Sequence, residues 1–332
     1  MAESRMSRLS NQYHAWTRSH PTAAEDFRTA IEDLLNDAGI IFDRVSTRVK
    51  AWSSLKRKAK KRGEGGDFIY PTPWDDIHDV MGVRVTLYHS TTIPNALDVL
   101  GESFKVVRSV DKAAETRISG GFGYGSHHLV LTVTDDSAAA MEELADFVGW
   151  TFEVQIRTVL QHAWAEFEHD IRYKQGPTPP SPEVDRLFTL AAGLIELADQ
   201  QFDEIAALKA PRTEADTDVE LTPETLPGVL AIILGNRFPL SRSEHYRFLA
   251  EILEENDIRS LDQLEQLLDD DAIAHVHDTM HYRFRPGQVR LIDDLLLNKF
   301  GKQHIEATAE SGDRAGRRRR LNARLKALRA NS

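Results

Sequence analysis

The segment "FEVQIRTVLQHAWAEFEHDIRYK", residues 152–174, begins with the alternation of a strand and ends with the periodicity of a helix. On the strand, apolar and polar side chains are predicted to point to opposite sides; the two sets are Phe152, Val154 and Ile156 against Glu153, Gln155 and Arg157. Thr158 followed by Gln161 has the form of a capping box, which predicts that the helix begins there.

The predicted helix has two distinct faces at 3.6 residues per turn. Its apolar stripe comprises Leu160, Ala163, Trp164, Phe167 and Ile171, and its polar stripe comprises His162, Glu166, His169 and Tyr173. Solvated faces explain such residues in many sequences. The alternative is a cleft lined by the charged strand face and the polar helix stripe, and the neighbouring motifs described below favour it.

Composition indicates an ordinary globular protein. The 332 residues predict one sizeable core and one smaller unit. The chain has no cysteine, which excludes disulfides, thiolate metal sites and a thiol nucleophile. No apolar run suggests a signal peptide or a membrane span, so we expect a cytoplasmic protein without a membrane partner.

Charge is distributed unevenly. The formal net charge of −11 argues against a general nucleic-acid coat. However, residues 48–62, "RVKAWSSLKRKAKKR", contain eight Lys or Arg in fifteen positions. An acidic protein with one internal basic island suggests a small polyanionic ligand bound at one place.

The order of elements predicts an α+β fold with a mixed sheet flanked by helices. An amphipathic helix is expected over about 22–44, followed by a loop that opens the basic island. Strands are expected within 78–88 and over 104–110, 127–134 and 151–157, with a helix at about 91–102.

Two breaks divide the chain, a Pro-rich stretch at 175–183 and an acidic, apolar-poor stretch at 211–227. We therefore predict a first domain over 1–210, a linker over 211–222, and an all-α C-terminal domain over 223–310. The basic tail, 311–332, has the composition of a disordered end, with an RNA-binding arm as the alternative. The C-terminal helices suggest an oligomerisation or regulatory module.

Two carboxylates suggest a metal site. Asp79 precedes the strand that carries Arg84, and Glu153 lies on another strand. Two such groups can hold one Mg²⁺ together with substrate phosphates, although a turn aspartate explains Asp79 alone equally well. The loop "GGFGYGSHH", 120–128, presents Tyr124 for stacking on a base and His128 at the next strand, whereas a plain hairpin needs the same glycines.

Four segments resemble the synthetase domain of the RelA/SpoT family, and more closely its small alarmone synthetases, which lack the hydrolase and regulatory domains. They are "RVKAWSSLKRK", "DIHDVMGVRV", "GYGSHH" and "FEVQIRTVLQHAWAEFEH". The resemblance implies a nucleotidyltransferase-like fold and GTP diphosphokinase activity in the stringent response. In that reaction the β,γ-pyrophosphate of ATP is transferred to the 3′-OH of GDP or GTP, giving (p)ppGpp.

The resemblance also implies roles for individual residues. Asp79 corresponds to a Mg²⁺ ligand, and Glu153 to a second ligand that activates the attacking hydroxyl. The ATP-binding set is Arg48, Lys50, Ser54, Lys58 and Arg84. The set for the acceptor nucleotide is Tyr124, His128, Gln155 and His162. Many relatives have a lysine where this chain has Gly120, so Lys112 or Arg117 is the expected contact to acceptor phosphates.

Some alternatives stay open at this point. The changed loop leaves GMP, GDP and GTP as possible acceptors. A toxin-like relative that pyrophosphorylates tRNA 3′ ends and a catalytically silent nucleotide sensor are the competing functions. The short segment "HVHDTMH", 275–281, is interpreted as a solvated or partner-facing helix and not as a hydrolase site. A homo-oligomer formed through helical elements is expected.

Overall fold

The computed structural model describes residues 4–112, 125–174, 182–208, 220–312 and 316–330. The chain divides into two compact units. The first comprises Met1–Asp33 and Phe42–Ala206, and the second comprises Leu34–Ile41 and Ala207–Ser332. In the described ranges, no helix has the length and apolar character that crossing a membrane requires.

The first unit is built on one mixed five-stranded sheet in the order β1-β2-β5-β4-β3. Only β2 and β5 are parallel; the other three neighbouring pairs are antiparallel. The strands are β1 (Phe42–Val49), β2 (Met81–Leu87), β3 (Lys105–Asp111), β4 (His127–Thr132) and β5 (Thr151–Thr158). The predicted mixed, helix-flanked sheet is thereby confirmed.

Helices flank the sheet and connect its strands. They are α1 (Arg5–Ser19), α2 (Ala23–Asp37), α3 (Trp52–Ala59), α4 (Pro73–Asp76), α5 (Ile93–Ser103), α6 (Asp135–Ala140), α7 (Val159–Lys174) and α8 (Pro182–Leu208). Three 3₁₀ turns add to them, at His78–Val80, Ser90–Thr92 and Glu142–Phe147. The α1 helix begins at an N-cap, where the Ser4 side chain accepts from the Ser7 N–H.

One face of the sheet is apolar and packs as the core. Phe152, Val154 and Ile156 on β5 are fully buried, and the Phe152 ring lies 4.8 Å from Phe27 of α2. Because side chains alternate along a strand, the opposite face of β5 carries the polar residues. The capping box is also present, since the Thr158 N–H donates to Gln161 Oε1 at 2.9 Å and the Gln161 N–H donates to Thr158 Oγ1 at 3.1 Å.

The region before the basic island differs from the prediction. The helix expected over 22–44 ends at Asp37, and residues 42–49, expected in part as a loop, form strand β1. Gly39 explains the change of direction, because its φ of +69° is unfavourable for other residues and a Cβ there would lie 2.9 Å from the Leu240 carbonyl oxygen. Because the apolar residues Ile40 and Ile41 continue the helical spacing, the sequence pattern predicted a helix through this turn.

The second unit is helical in the part of the chain that the structure describes, as the sequence predicts. Its helices are α9 (Leu226–Leu234), α10 (Ser243–Glu255), α11 (Leu261–Leu267), α12 (Asp270–Met280), α13 (Gln288–Phe300), α14 (Lys302–Ala307) and α15 (Arg317–Ala330). Helix α13 is central, with Leu291, Ile292 and Leu296 fully buried. The segment "HVHDTMH" lies mostly on α12 and carries no metal cluster among the described residues.

The basic tail is not the disordered end expected for 311–332. Residues 317–330 form α15, which buries Leu321, Leu325 and Leu328. Arg317 and Arg324 donate to the buried carboxylate of Asp293, at 2.6 and 2.8 Å. Composition alone suggested a solvated arginine run, but these arginines neutralise a buried acid and the three leucines supply an apolar stripe.

Candidate active site

The polar face of β5 opens into a cleft formed with β1 and β2. The residues that line it are Ser46, Thr47, Arg48, Asp79, Gly82, Val83, Arg84, Glu153 and Gln155. The strand register explains the convergence, because Gly82 of β2 faces Arg48 of β1 on one side and Glu153 of β5 on the other. Gly82 has no side chain, so the cleft keeps its depth between the charged groups.

Glu153 is held as an anion. Its Oε1 accepts hydrogen bonds from His128 Nδ1 at 2.9 Å and from Gln155 Nε2 at 3.0 Å. Burial opposes ionisation, but these two hydrogen bonds and the nearby charges of His128 and Lys58 outweigh it and lower the pKa of Glu153 to about 2. Glu153 therefore stays ionised throughout the physiological pH range.

Arg157 is a site residue to which the sequence reasoning assigned no role. Its side chain is buried, and its Nη2 donates to Gln155 Oε1 at 2.8 Å. A chain of hydrogen bonds therefore runs from Arg157 through the Gln155 amide to Glu153, and it fixes which end of that amide faces the carboxylate. Arg157 takes part in none of the ion pairs between described residues. Burial lowers the pKa of its guanidinium to about 10.

Arg157→Met is expected to reduce kcat for the reaction proposed below by roughly 10–100-fold, as loss of an orienting partner commonly does. The substitution leaves the Gln155 amide free to rotate away from Glu153. Thermal stability should hold or rise, because an apolar side chain replaces a buried cation that has no carboxylate partner. Steady-state kinetics beside calorimetry checks this, and a lower melting temperature with normal kcat would contradict it.

Asp79 is the second carboxylate of the cleft. Its Oδ2 accepts a hydrogen bond from Lys50 Nζ at 2.7 Å and forms an ion pair with Lys58 Nζ at 3.0 Å. Its Oδ1 is buried and has no hydrogen-bond partner. The basic island therefore reaches the cleft through Lys50, which follows β1, and Lys58 of α3.

Arg84 and helix α7 form a third group at the cleft. Arg84 Nη1 donates to Glu166 Oε1 at 3.0 Å and lies 3.5 Å from His162 Nδ1. Its Nε is buried without a hydrogen-bond partner. His162 and Glu166 of the polar stripe of α7 thus contact Arg84 of β2, although neither is among the residues that line the cleft. Glu166 orients the guanidinium of Arg84.

The surroundings of His162 favour its neutral form. Burial and the adjacent charge of Arg84 lower the pKa of His162 below its usual value of 6.5. In the unfolded chain the imidazole binds a proton at a higher pH than in the folded chain. The free energy of unfolding therefore falls as the pH decreases from about 6.5.

We expect His162→Asn to weaken this acid sensitivity, because the amide cannot take up a proton. Melting temperatures measured at pH 7.5 and 5.5 should differ less for His162→Asn than for the unsubstituted chain. His277→Asn is the control, since His277 on α12 is 60% exposed and should leave the difference unchanged. An equal drop for all three proteins would contradict the assignment.

The remaining predicted residues are only partly placed. Ser54 lies in the first turn of α3 but is not among the residues that line the cleft. Lys112 follows β3, where its N–H donates to the Ser126 carbonyl at 3.2 Å. Arg117 and Tyr124 lie outside the described residues, so their roles stay predictions.

The cleft has the donors that Mg²⁺ prefers. No cluster of three or more metal-ligating side chains occurs in the described ranges. However, Mg²⁺ is usually bound by one or two carboxylates together with substrate phosphates. The two carboxylates and the unpartnered Oδ1 of Asp79 match that requirement.

Comparison with known proteins identifies the region that carries the cleft. Residues 47–178 match the family model described as "Region found in RelA / SpoT proteins". The chain is 27% identical over 147 residues to GTP pyrophosphokinase YwaC of Bacillus subtilis (strain 168), which covers 44% of this chain and 65% of YwaC. It is also 27% identical over 163 residues to GTP pyrophosphokinase YjbM of the same organism. That alignment covers 48% of this chain and 70% of YjbM.

Among solved structures, small alarmone synthetase 1 from Bacillus subtilis bound to its product pppGpp aligns with a TM-score of 0.47 at 23% sequence identity. The alignment covers 60% of this chain and all of that one. The chain spans slightly less than two thirds of the length of YwaC, 65%. The range that matches the RelA/SpoT family model contains Arg48, Asp79 and Glu153.

Proposed function

We propose that this protein is a magnesium-dependent GTP diphosphokinase that transfers the β,γ-pyrophosphate of ATP to the 3′-OH of GDP or GTP. The observation that carries the proposal is the convergence of Glu153 and Asp79 with cations of the basic island in one cleft. The RelA/SpoT region and the names of the relatives, GTP pyrophosphokinases, support it. A cytoplasmic role in the stringent response follows from the same proposal.

Pyrophosphoryl transfer needs positioning and charge more than covalent chemistry from the protein. Lys50 and Lys58 supply positive charge for ATP phosphates, and they are already drawn to the carboxylate of Asp79. Arg48 and Arg84, on neighbouring strands, present planar guanidinium groups suited to stacking on adenine. The Glu166 contact holds Arg84 in place for that role.

Asp79 and Glu153 would hold Mg²⁺, which when bound neutralises charge developing on the phosphates. The low pKa of Glu153, about 2, makes it a weak proton acceptor. We therefore assign Glu153 mainly to binding the metal and orienting the attacking hydroxyl, and less to removing its proton. His128 and Gln155 fix the carboxylate through its Oε1.

The acceptor nucleotide is proposed to bind along β5 and β4. Gln155, His128 and His162 lie around Glu153 and Arg84. Tyr124 is proposed as the stacking ring for guanine, with Lys112 or Arg117 at the acceptor phosphates. Binding beside Glu153 would bring the 3′-hydroxyl of the acceptor to the carboxylate that is proposed to orient it.

The test is one assay with ATP and Mg²⁺ in which GMP, GDP, GTP and tRNA are offered in parallel. The proposal predicts AMP release and a guanosine 3′-pyrophosphate with GDP or GTP, and loss of both products when EDTA removes the metal. Labelled phosphate on tRNA would show the toxin-like relative instead. Nucleotide binding without AMP release from any acceptor would show a silent sensor.

A further inference from the structure

The carboxylate of Asp79, assigned above to Mg²⁺, is already paired with two cations of this chain. Lys50 Nζ lies 2.7 Å and Lys58 Nζ 3.0 Å from its Oδ2. Its other oxygen, Oδ1, is buried, and the whole side chain is only 18% exposed. An ion from solvent therefore finds one oxygen occupied by two ammonium groups and the other closed off.

The two ammonium groups also weaken the attraction that a metal ion would feel. Together they bring two positive charges to one negative charge, so they more than neutralise the carboxylate of Asp79. Because Coulomb energy falls only with the inverse of distance, their repulsion offsets much of the pull of this carboxylate on a divalent cation. The charge of Lys58 also reaches Glu153, where it is one of the causes of the low pKa. Both proposed metal ligands thus lie in the field of this lysine.

A bound nucleotide would reverse this balance. A triphosphate carries several negative charges, and the lysine ammonium group is a common phosphate ligand in proteins. If Lys50 and Lys58 turn to the phosphates, Asp79 loses both counter-charges. Its oxygens then become available to Mg²⁺, which proteins usually bind through one or two carboxylates together with substrate phosphates. The nucleotide would therefore free the ligand and complete the site in one event.

Such an exchange needs movement of side chains only. The Lys50 N–H donates to the Val80 carbonyl at 2.8 Å, and the Lys50 carbonyl accepts from the Tyr13 hydroxyl at 3.0 Å. Lys58 lies on α3, one turn after the fully buried Leu55. The ammonium groups, by contrast, end flexible four-carbon stems. Both can leave Asp79 while the backbone that carries them stays in place.

We propose that Lys50 and Lys58 act as internal counter-ions that keep Asp79 closed to Mg²⁺ until a nucleoside triphosphate draws them to its phosphates. Binding of the metal and binding of the nucleotide are then coupled, and by linkage each strengthens the other by the same factor. The proposal rests on the proposed function, because it takes ATP as the nucleotide. It adds an order of events, in which the nucleotide-free chain has little affinity for the metal.

Binding of Mn²⁺ to the nucleotide-free chain tests the closed state. Mn²⁺ favours the same oxygen ligands as Mg²⁺, and its EPR signal falls as it binds. Lys50→Met and Lys58→Met are each expected to bind Mn²⁺ at least roughly tenfold more tightly than the unsubstituted chain, an effect that a group beside a metal ligand commonly has on affinity. Lys56→Met is the matched control, since Lys56 is exposed on α3 and its loss removes the same charge. Equal Mn²⁺ affinity in all four proteins would overturn the proposal.

A second substitution locates the gained affinity. Asp79→Asn added to Lys58→Met should abolish the gain, because it removes the carboxylate that the lysine had covered. A gain that survives in the double variant would place the metal elsewhere and overturn the proposal. Circular dichroism checks that each variant is folded. Tight, saturable Mn²⁺ binding by the unsubstituted chain without nucleotide would overturn the proposal whatever the variants do.

Nucleotide binding should change in the opposite direction. With EDTA present, a fluorescent ATP analogue is expected to bind Lys58→Met at least roughly tenfold more weakly than Lys56→Met, the cost of one charge-assisted contact. Unchanged binding, or weaker binding of both metal and analogue, would overturn the proposal, because the lysine would then be only a structural support. Coupled binding of analogue and metal without AMP release would reject the proposed function alone. AMP release by a chain that binds Mn²⁺ tightly without nucleotide would reject the coupling alone.

Discussion

Glu153→Gln is expected to reduce kcat for AMP formation by roughly 10²–10⁴-fold, the range that loss of a charged group at the reacting centre commonly costs. The amide keeps the shape of the side chain but removes the negative charge. That charge is buried, and two hydrogen-bond donors, His128 Nδ1 and Gln155 Nε2, are directed at it. Stopped assays that quantify AMP check the loss.

Binding of ATP should change little in the same variant, because Lys50 and Lys58 contact Asp79 and not Glu153. Titration of a fluorescent ATP analogue separates the two effects. Glu102→Gln is the matched control, since Glu102 is exposed on α5 and outside the cleft, and it should leave kcat unchanged. Turnover within a few-fold of that of the unsubstituted chain would remove Glu153 from its proposed role.

Asp79→Asn is expected to raise the Mg²⁺ concentration for half-maximal activity by at least roughly tenfold and to lower kcat at saturating metal. The amide is a weaker ligand than the carboxylate, and its NH₂ group competes for the place of the free Oδ1. It also leaves Lys50 and Lys58 without their shared counter-charge. Activity measured across a Mg²⁺ titration checks the shift.

Asp76→Asn provides the control for that experiment. Asp76 lies three residues earlier, but its two carboxylate oxygens accept from the Thr72 N–H and hydroxyl. Its substitution should leave the Mg²⁺ dependence unchanged. If Asp79→Asn and Asp76→Asn behave alike, the role of Asp79 is that of a turn residue, which was the alternative at the level of sequence.

Period-two alternation and the capping box were sufficient to predict β5, the start of α7 and the two faces of that junction. They succeed there because local spacing and tertiary packing favour the same conformation. Strand β1 was missed for the opposite reason. Ile40 and Ile41 extend the helical spacing of α2, while the close approach that excludes a side chain at Gly39 is to Leu240, which is distant in sequence.

The site shows the same division between local and non-local information. Motif resemblance indicated Asp79, Glu153 and the basic island, which the strand register does bring together. The role of Arg157 was not predicted, because it depends on burial and on the contact of Arg157 with Gln155. Alternation predicted its direction, but no sequence pattern predicts that a strand arginine lacks a carboxylate partner.

The course of the chain has a consequence for experiments on isolated parts. Residues Leu34–Ile41 belong to the second unit, although they lie between the two segments of the first. Within that unit, Asp37 pairs with Arg290, and Gly39 lies against Leu240 and Gly287. A fragment ending at Leu208 would keep Leu34–Ile41 but lose the residues that contact this segment. The segment lies immediately before β1, the strand that carries Arg48. The two units are thus interlaced in sequence, so no single cut separates them, and activity lost on truncation would not by itself reveal a regulatory domain.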